Sequence, residues 1–304
     1  MSEQSRSVGI PRWFWQLFSA PGVLWLLFLF VVPFYAMFAI AMGTRDPIFY
    51  APVPVWNPLE WQTDTFRGVI ENVFGGGPLQ TVLLRTTVYV AIASVLSLLI
   101  GYPVAYYIAR HATRTKVILL ILLISPFWIS YLMRMLAWIS LLDDNGFVND
   151  VLSRLGLIHS PINWLNGRPM TVILGLVYGY VPFLILPLFA AIDRIEQSQI
   201  EAARDLGASP SRTFLRVTLP LSRHGILAGT VIILLPMFGD YYTQDLMSAN
   251  PRTSMFANQI VRLMTSRTGG AEGAGLVVVL SLLLVIFMAY YLYSTAKASL
   301  EYER

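Results

Sequence analysis

Long stretches without ionisable residues recur along the chain and predict membrane-spanning helices. An α-helix rises about 1.5 Å per residue, so about 20 apolar residues cross a hydrocarbon core of about 30 Å. The third stretch is interrupted once, by Arg134, and the fifth carries Asp240 and Asp245 near its end. The predicted spans are 21–43, 86–109, 117–142, 169–192, 225–247 and 273–296.

The segments between these spans differ in basic residues, which predicts their orientation. Lys and Arg are about twice as dense in one alternate set of segments as in the other, and this set is expected to face the cytoplasm. The cytoplasmic parts are then an N-terminal segment 1–20, the short loop 110–116, the loop 193–224 and a tail 297–304, with a six-helix domain over 21–296. Both termini are predicted to be cytoplasmic. The first apolar run is too long for a signal peptide, so we expect it to remain a helix of the mature protein.

The composition supports lipid as the solvent for most of this surface. Hydrophobic residues make up 56% of the 304 residues and charged residues 12%, whereas soluble domains carry about 25% charged residues. These values exclude a disordered chain and argue against a soluble enzyme. The net charge is +4, but the basic residues follow the predicted topology and form no continuous basic face, so no nucleic-acid partner is expected. We therefore expect an all-α membrane protein.

Residues that carry catalytic chemistry are sparse. The three histidines, His111, His159 and His224, are too widely spaced for a zinc site, and the chain has no cysteine. Neither Lys116 nor Lys297 follows the glycine spacing of a phosphate-binding loop. We predict no metal or cofactor in this chain and no enzymatic activity of its own, so any use of ATP would have to come from a partner.

The predicted cytoplasmic loop between spans four and five has its own pattern. Residues 194–206 are amphipathic, with apolar positions at Ile195, Ile200, Ala203 and Leu206, and Gly207 stands where a helix C-cap glycine belongs. A second short helix is then predicted, with Ser209 as N-cap and Pro210 at its first position, ending at Leu219-Pro220. This pattern suits an ordinary interfacial helix as well as a docking surface.

The spacing within this loop distinguishes the two interpretations. Glu201-Ala202-Ala203, three residues, Gly207, nine residues, and then Val217-x-Leu219-Pro220 resembles the EAA motif of permease subunits of binding-protein-dependent ABC importers. Val217 replaces the family's isoleucine. Residues 101–106 resemble the end of the second span in these permeases. Residues 126–149 and 238–247 are similar to the spermidine/putrescine branch of the family, and the resemblance covers about residues 80–300.

The resemblance implies a type I ABC importer permease fold in a bacterial inner membrane, multi-pass. The ATPase-coupling residues would be Glu201, Ala202, Ala203, Gly207, Leu219 and Pro220, on a coupling helix that docks on an ATPase. The implied partners are a second, related permease, two ATPase subunits, an extracytoplasmic binding protein and a polyamine substrate. Alternatives are the same machinery with another small solute, such as an amino-acid derivative or organophosphonate, or an ion-coupled secondary transporter. A membrane enzyme ranks last.

Candidate substrate-pathway residues lie in span five. On a continuous helix Phe238, Tyr241, Tyr242 and Asp245 would share one face, with Asp240 on an adjacent face. Aromatic rings and a carboxylate suit a cation with a methylene backbone. The alternative is an aromatic belt at the outer interface whose aspartates meet water.

Span three carries a second candidate face, formed by Tyr131, Arg134 and Trp138. Arg134 would repel a cationic substrate, so we favour a structural ion pair or a contact with the partner permease over a gate. Two small-residue motifs, Gly175-x-x-x-Gly179 and Gly225-x-x-x-Gly229, predict close helix packing.

Overall fold

The computed structural model describes residues 12–302, and nearly all of its regular structure is helical. Two short strands, β1 (Thr44–Arg45) and β2 (Pro52–Val53), form an antiparallel hairpin. The helices are α1 (Arg12–Ala41), α2 (Asp64–Phe74), α3 (Pro78–Arg110), α4 (Lys116–Ile124), α5 (Tyr131–Leu142), α6 (Phe147–Arg154), α7 (Pro169–Asp193), α8 (Gln197–Asp205), α9 (Pro210–Thr213), α10 (Leu219–Leu221), α11 (Arg223–Phe238), α12 (Tyr242–Met247), α13 (Phe256–Thr265) and α14 (Gly270–Tyr302). Pro58–Glu60, Ser125–Trp128 and Pro251–Thr253 are 3₁₀-helical, and Phe214–Thr218 forms a π-helix.

The described helices confirm the all-α fold class. Within residues 12–302, four helices are long and apolar enough to cross a membrane, and the number rises to six if each of two bent helix pairs is one span. The four are parts or all of α1, α3, α7 and α14. The orientation of the termini and the division into cytoplasmic and membrane segments stay predictions.

The third predicted span, 117–142, is not one straight helix, and that expectation is wrong. The chain bends by 87° between the segments Lys116–Trp128 and Tyr131–Arg154. Ser125–Trp128 is a 3₁₀ turn that contains Pro126, and Ile129 and Ser130 are extended in ψ. Pro126 has no backbone N–H to donate to the preceding turn, so the α-helical hydrogen bonds are interrupted at this residue.

Several helix ends differ from the predicted spans. The second helix begins at Pro78, well before residue 86, because Gly77-Pro78 starts the helix before its apolar part begins. Residues 1–11 of the predicted N-terminal segment lie outside the described residues, and α1 already begins at Arg12. At the other end, α14 continues through most of the predicted tail, to Tyr302, and residues 303–304 lie outside the described part.

Two compact units make up the chain, and the first combines residues up to 69 with residues 263–279. Its hairpin pairs Thr44 with Val53, and Arg45 forms an exposed ion pair with Glu272 at 3.2 Å. In the hairpin turn the backbone N–H groups of Phe49 and Ile48 donate to Asp46. These hydrogen bonds favour the carboxylate and lower the pKa of Asp46.

The second unit contains residues 70–262 and the rest of α14, and its core lies where α3, α7 and α11 pack together. Apolar side chains that are almost completely buried fill this core. They include Leu184, Ile185 and Leu188 from α7, Ile233 and Met237 from α11, and Val90 and Ala93 from α3.

Glycines on α7 and α11 allow the close approach that their spacing predicts. A Cβ added at Gly225 would collide with Ala191 and lie 3.0 Å from the backbone oxygen of Pro187. Gly179 leaves the same kind of space for the ring of Tyr131, at 2.9 Å. The packing interpretation of both small-residue motifs is therefore confirmed.

We expect Gly225→Ala to destabilise the protein, since its new methyl group meets backbone and a Cβ that cannot turn away. Overpacking of this kind costs about 1–3 kcal/mol. Gly22→Ala is the matched control, because nothing lies within 4 Å of a Cβ at Gly22. Thermal unfolding of the detergent-purified variants measures the difference, and equal midpoints for both would contradict this packing.

Candidate functional site: the 193–222 loop and the Asp240 cluster

The segment that joins α7 to α11, here called the 193–222 loop, contains a tightly closed helix end. Gly207 has φ +81°, and its N–H donates to the oxygen of Arg204 at 2.8 Å. The N–H of Ala208 donates to the oxygen of Ala203 at 3.1 Å. Together these bonds form a Schellman motif, which holds α8 in a fixed end state. The C-cap role predicted for Gly207 is confirmed.

The second half of the loop begins as predicted and ends differently. Ser209 caps α9 by accepting a hydrogen bond from the N–H of Arg212 at 3.4 Å, with Pro210 at the start of the helix. The expected end at Leu219-Pro220 is wrong, since the helical path continues through the π-helix and α10 to Leu221. Pro220 lies in the first turn of α10, where a backbone N–H is not needed.

The 193–222 loop has one buried side and one exposed side. Ile195 and Ile200 are buried, whereas Glu201 and Ala202 are exposed. Leu206, which the sequence groups with the apolar side, is 89% exposed. A depression of about 310 Å³ lies beside it, lined by Ala203, Leu206, Gly207, Ala208, Arg212, Thr213, Arg216 and Val217. The exposed side therefore presents a protruding apolar side chain, Leu206, next to a surface depression.

Aromatic contacts fasten the loop to α3. The ring of Phe214 lies between Tyr102 and Tyr106, with both centroid distances 5.6 Å and the planes nearly perpendicular. The hydroxyls of Tyr102 and Ser222 form a hydrogen bond of 2.7 Å. The sequence analysis missed this anchor, although the i, i+4 spacing of the two tyrosines places them on one helix face.

Polar contacts fix the start of the loop. Arg110, at the end of α3, donates to the backbone oxygens of Ile192 and Ile195 at 2.7 and 2.8 Å. Lys116 forms an ion pair of 2.6 Å with Asp193. Because the loop is attached at both ends to α3, α4 and α7, a displacement of the loop reaches these helices directly.

A buried carboxylate, Asp240, joins three helices just after the C-terminal end of α11. Its Oδ2 accepts hydrogen bonds from the hydroxyls of Tyr131 (3.0 Å), Tyr180 (3.1 Å) and Thr243 (2.6 Å), and its Oδ1 accepts one from the N–H of Thr243 (2.9 Å). Tyr131 and Thr243 are also hydrogen-bonded to each other. We call these four residues the Asp240 cluster. It links α5, α7 and the start of α12.

The cluster explains why the predicted stripe in span five does not form on one helix. The α-helix stops at Phe238, and Gly239 follows as its cap. Asp240, one residue before the N-cap Tyr241, then accepts a hydrogen bond from the N–H of Thr243 in the first turn of the next helix. An aspartate shortly after a glycine favours a new helix start, and the assumption of a continuous helix overlooked it.

The stripe residues consequently have different environments. Phe238 and Asp240 are buried, whereas Tyr242 is 49% exposed and Asp245 is exposed. The rings of Tyr241 and Tyr242 stack with their centroids 4.1 Å apart. The structure therefore separates Asp240, which is fixed inside the fold, from Asp245, which is open to ligands. Whether either aspartate meets the substrate stays a prediction.

Arg134 is buried in an aromatic box. Its guanidinium carbon lies 4.1 Å from the ring centroid of Phe127, 5.4 Å from that of Tyr131 and 5.8 Å from that of Tyr178. Its Nε and Nη1 have no hydrogen-bond partner in the described part of the chain, and no described carboxylate forms an ion pair with it. An ion pair within residues 12–302 is therefore excluded in this structure, and a contact with a partner permease stays a prediction.

Trp138 belongs to the packing between helices. It meets Tyr178 edge to face at 5.3 Å and packs against the buried cluster of Met135, Leu142 and Met247. The face predicted for Tyr131, Arg134 and Trp138 thus splits into a hydrogen-bonded tyrosine, a stacked cation and a packed indole. Among the described residues, no group of three His, Cys, Asp or Glu side chains is placed to hold a metal ion.

Comparison with known proteins gives consistent matches over most of the chain. Residues 101–297 match the family described as binding-protein-dependent transport system inner membrane component. The chain is 33% identical over 267 residues to the spermidine/putrescine transport system permease protein PotB of Haemophilus influenzae, covering 86% of this chain and 89% of that one. PotB of Escherichia coli K12 is 32% identical over 267 residues, with 86% and 92% covered.

A solved structure shares the fold. A chain from the crystal structure of a bacterial alginate ABC transporter, in complex with an alginate pentasaccharide-bound periplasmic protein, aligns with a TM-score of 0.67. The alignment covers 92% of each chain at 18% identity. At this identity the likeness concerns the fold alone.

The two aspartates should respond differently to neutralisation. Asp240→Asn replaces one carboxylate oxygen by an amide nitrogen that cannot accept from Tyr131 and Tyr180, so we expect a loss of about 1–3 kcal/mol in the free energy of unfolding. Asp245→Asn is the matched control and should leave that energy within about 0.5 kcal/mol of wild type, since Asp245 is exposed. Thermal unfolding of both purified variants is the measurement, and equal losses would contradict the distinction.

Proposed function

Because the chain belongs to the binding-protein-dependent transport system inner membrane component family, we propose that it is the permease subunit that carries spermidine or putrescine in an ATP-driven importer. The family resemblance predicted from the sequence is confirmed, and the chain is a multi-pass inner-membrane transport component that works with an ATPase and a substrate-binding protein. The observation that carries the proposed cargo is the 33% identity to PotB over 86% of the chain.

The complex that we propose contains a second, related permease and two ATPase subunits that bind ATP and Mg. The 193–222 loop supports this assembly through its exposed side. Leu206 is almost fully exposed next to the depression at Gly207. Burial of this apolar side chain by a partner would stabilise the complex. Glu201 and Ala202 are exposed as well, and the small side chain of Ala202 allows a partner to approach closely.

The loop is also suited to transmit force. The Schellman motif at Gly207 keeps α8 from fraying, and Phe214 connects the loop to α3 through Tyr102 and Tyr106. In this proposal, closure of the ATPase pair moves the 193–222 loop, and the loop moves α3, α7 and α11. The membrane helices then alternate between outward and inward openings.

Uptake by the reconstituted complex tests the proposal. Proteoliposomes that contain this chain, a partner permease, the ATPase and the binding protein should accumulate labelled spermidine only when ATP is present on the side of the membrane where the ATPase lies. Putrescine should compete, and an aminoalkylphosphonate or an amino acid should not. Vesicles with this chain alone and an ion gradient are the control. Accumulation there, or competition by the phosphonate instead of putrescine, would overturn the proposal.

The Schellman glycine allows a sharper test of coupling. Gly207→Val places a β-branched residue at φ +81°, a conformation that costs such a residue about 1–2 kcal/mol, so the end of α8 should open. Gly207→Asn is the matched control, since asparagine tolerates this conformation and nothing in the described chain lies within 4 Å of its Cβ.

We expect the valine variant to hydrolyse ATP with little uptake and the asparagine variant to keep most of its uptake. The ratio of substrate imported to ATP hydrolysed measures this difference. An unchanged ratio in the valine variant would show that the cap has no part in coupling.

A further inference from the structure

A cavity of about 370 Å³ lies between α12 and α13. The helix α11 begins at the 193–222 loop and ends at Phe238, so this cavity is at the opposite end of α11 from the loop. Gln244, Asp245, Asn258, Gln259 and Arg262 contribute its polar lining. The arrangement of their hydrogen bonds determines which ligand the cavity can take.

The amide of Gln244 has a fixed orientation. Gln244 is 3% exposed, and its Nε2 donates to the backbone oxygen of Asn250 at 3.0 Å. A carbonyl oxygen can only accept, so the nitrogen must face it. The hydrogen bonds of this side chain all come from Nε2, to the backbone oxygen of Asn250 and to Oγ1 of Thr253 at 3.4 Å, so among the described residues none reaches Oε1, and the side chain lines the cavity.

Asn258 fixes the carboxylate of Asp245 in a similar way. Its Nδ2 donates to the backbone oxygen of Tyr241 and to Oδ1 of Asp245, both at 2.8 Å, and its Oδ1 accepts from the N–H of Met255 at 2.9 Å. Both polar atoms of the Asn258 side chain therefore have hydrogen-bond partners within the protein. The Oδ2 of Asp245 accepts no hydrogen bond from the described part of the chain.

The unused groups are therefore acceptors, and one of them is charged. A ligand for this site must bring several donors and a positive charge. A primary ammonium has three N–H donors and no acceptor, and it fits this requirement. A metal ion is disfavoured, since two protein oxygens are too few for calcium and magnesium needs octahedral geometry. Arg262 at the wall would repel a second ammonium, so one charged end fits beside Asp245.

We propose that this cavity binds one terminal primary ammonium group, held between Oδ2 of Asp245 and Oε1 of Gln244. Asn258 acts as a positioning residue that orients the carboxylate. The identification of this amine as the transported substrate rests on the proposed function; the binding itself does not. In the complete transporter, this cavity receives the amine before it enters the path between the helices.

Equilibrium binding of labelled putrescine to the purified transporter in nanodiscs, without the binding protein, tests this site. Asp245→Asn and Gln244→Met should each weaken binding about tenfold or more, since each removes an acceptor for a charged donor. Gln62→Met is the matched control and should bind like wild type, since Gln62 is exposed and belongs neither to the cavity lining nor to the 193–222 loop. Equal affinity of wild type, Asp245→Asn and Gln244→Met would overturn the proposal.

Acetylated amines test the ligand class separately. Monoacetylputrescine keeps one primary ammonium and should compete with putrescine, whereas N,N′-diacetylputrescine has none and should not. Competition by the diacetyl compound equal to that of the monoacetyl compound would overturn the ammonium assignment.

Uptake by the complete transporter separates failure of this proposal from failure of the proposed function. If wild type imports spermidine and Asp245→Asn has the same KM, the cavity proposal fails and the proposed cargo stands. If wild type imports no polyamine but binds putrescine through Asp245, the proposed cargo fails and the cavity stands. A raised KM in Asp245→Asn with wild-type thermal stability supports both.

Discussion

The carboxylate of Asp240 is the point on which the arrangement of α5, α7 and α12 depends. Inside a bilayer, backbone groups released by a helix break need partners from the protein itself, because water is absent. Asp240 supplies such a partner to Thr243 at the break after Phe238, and its second oxygen collects the hydroxyls of Tyr131 and Tyr180. One side chain thus supports the start of α12 and ties it to α5 and α7. Asp240 is therefore poorly placed to release a bound cation, whereas the exposed Asp245 is better placed.

The charge of Arg134 illustrates a second way to keep an ionised group within a membrane fold. Its guanidinium stacks on Phe127 and lies near two tyrosine rings, so π electrons replace part of the lost hydration. Tyr131 touches both this cation and the Asp240 carboxylate. A tyrosine between opposite charges lets both stay in the fold without a direct ion pair.

Much of this architecture could be predicted from the sequence, since apolar length and caps are local properties. The runs around residues 169–192, Gly207 and the Ser209-Pro210 start all have the predicted structure. The breaks at Pro126 and Gly239 were harder to predict, because the apolar sequence continues through both and its pattern does not mark the end of a helix. The cavity at Gln244 depends on which amide atom faces which carbonyl, and this requires the contacts that α12 makes with Asn250 and Asn258 in the folded chain.

The angle at Ser222 has a mechanical consequence. Segments Pro210–Leu221 and Arg223–Phe238 meet at 62°, and the hydroxyl of Ser222 is held by Tyr102 at this corner. If this bend is rigid, a lateral displacement of Pro210–Leu221 tilts Arg223–Phe238, and the contact between Ser222 and Tyr102 is the pivot. A displacement of the 193–222 loop would then be largest at the opposite end of α11, next to Gly239.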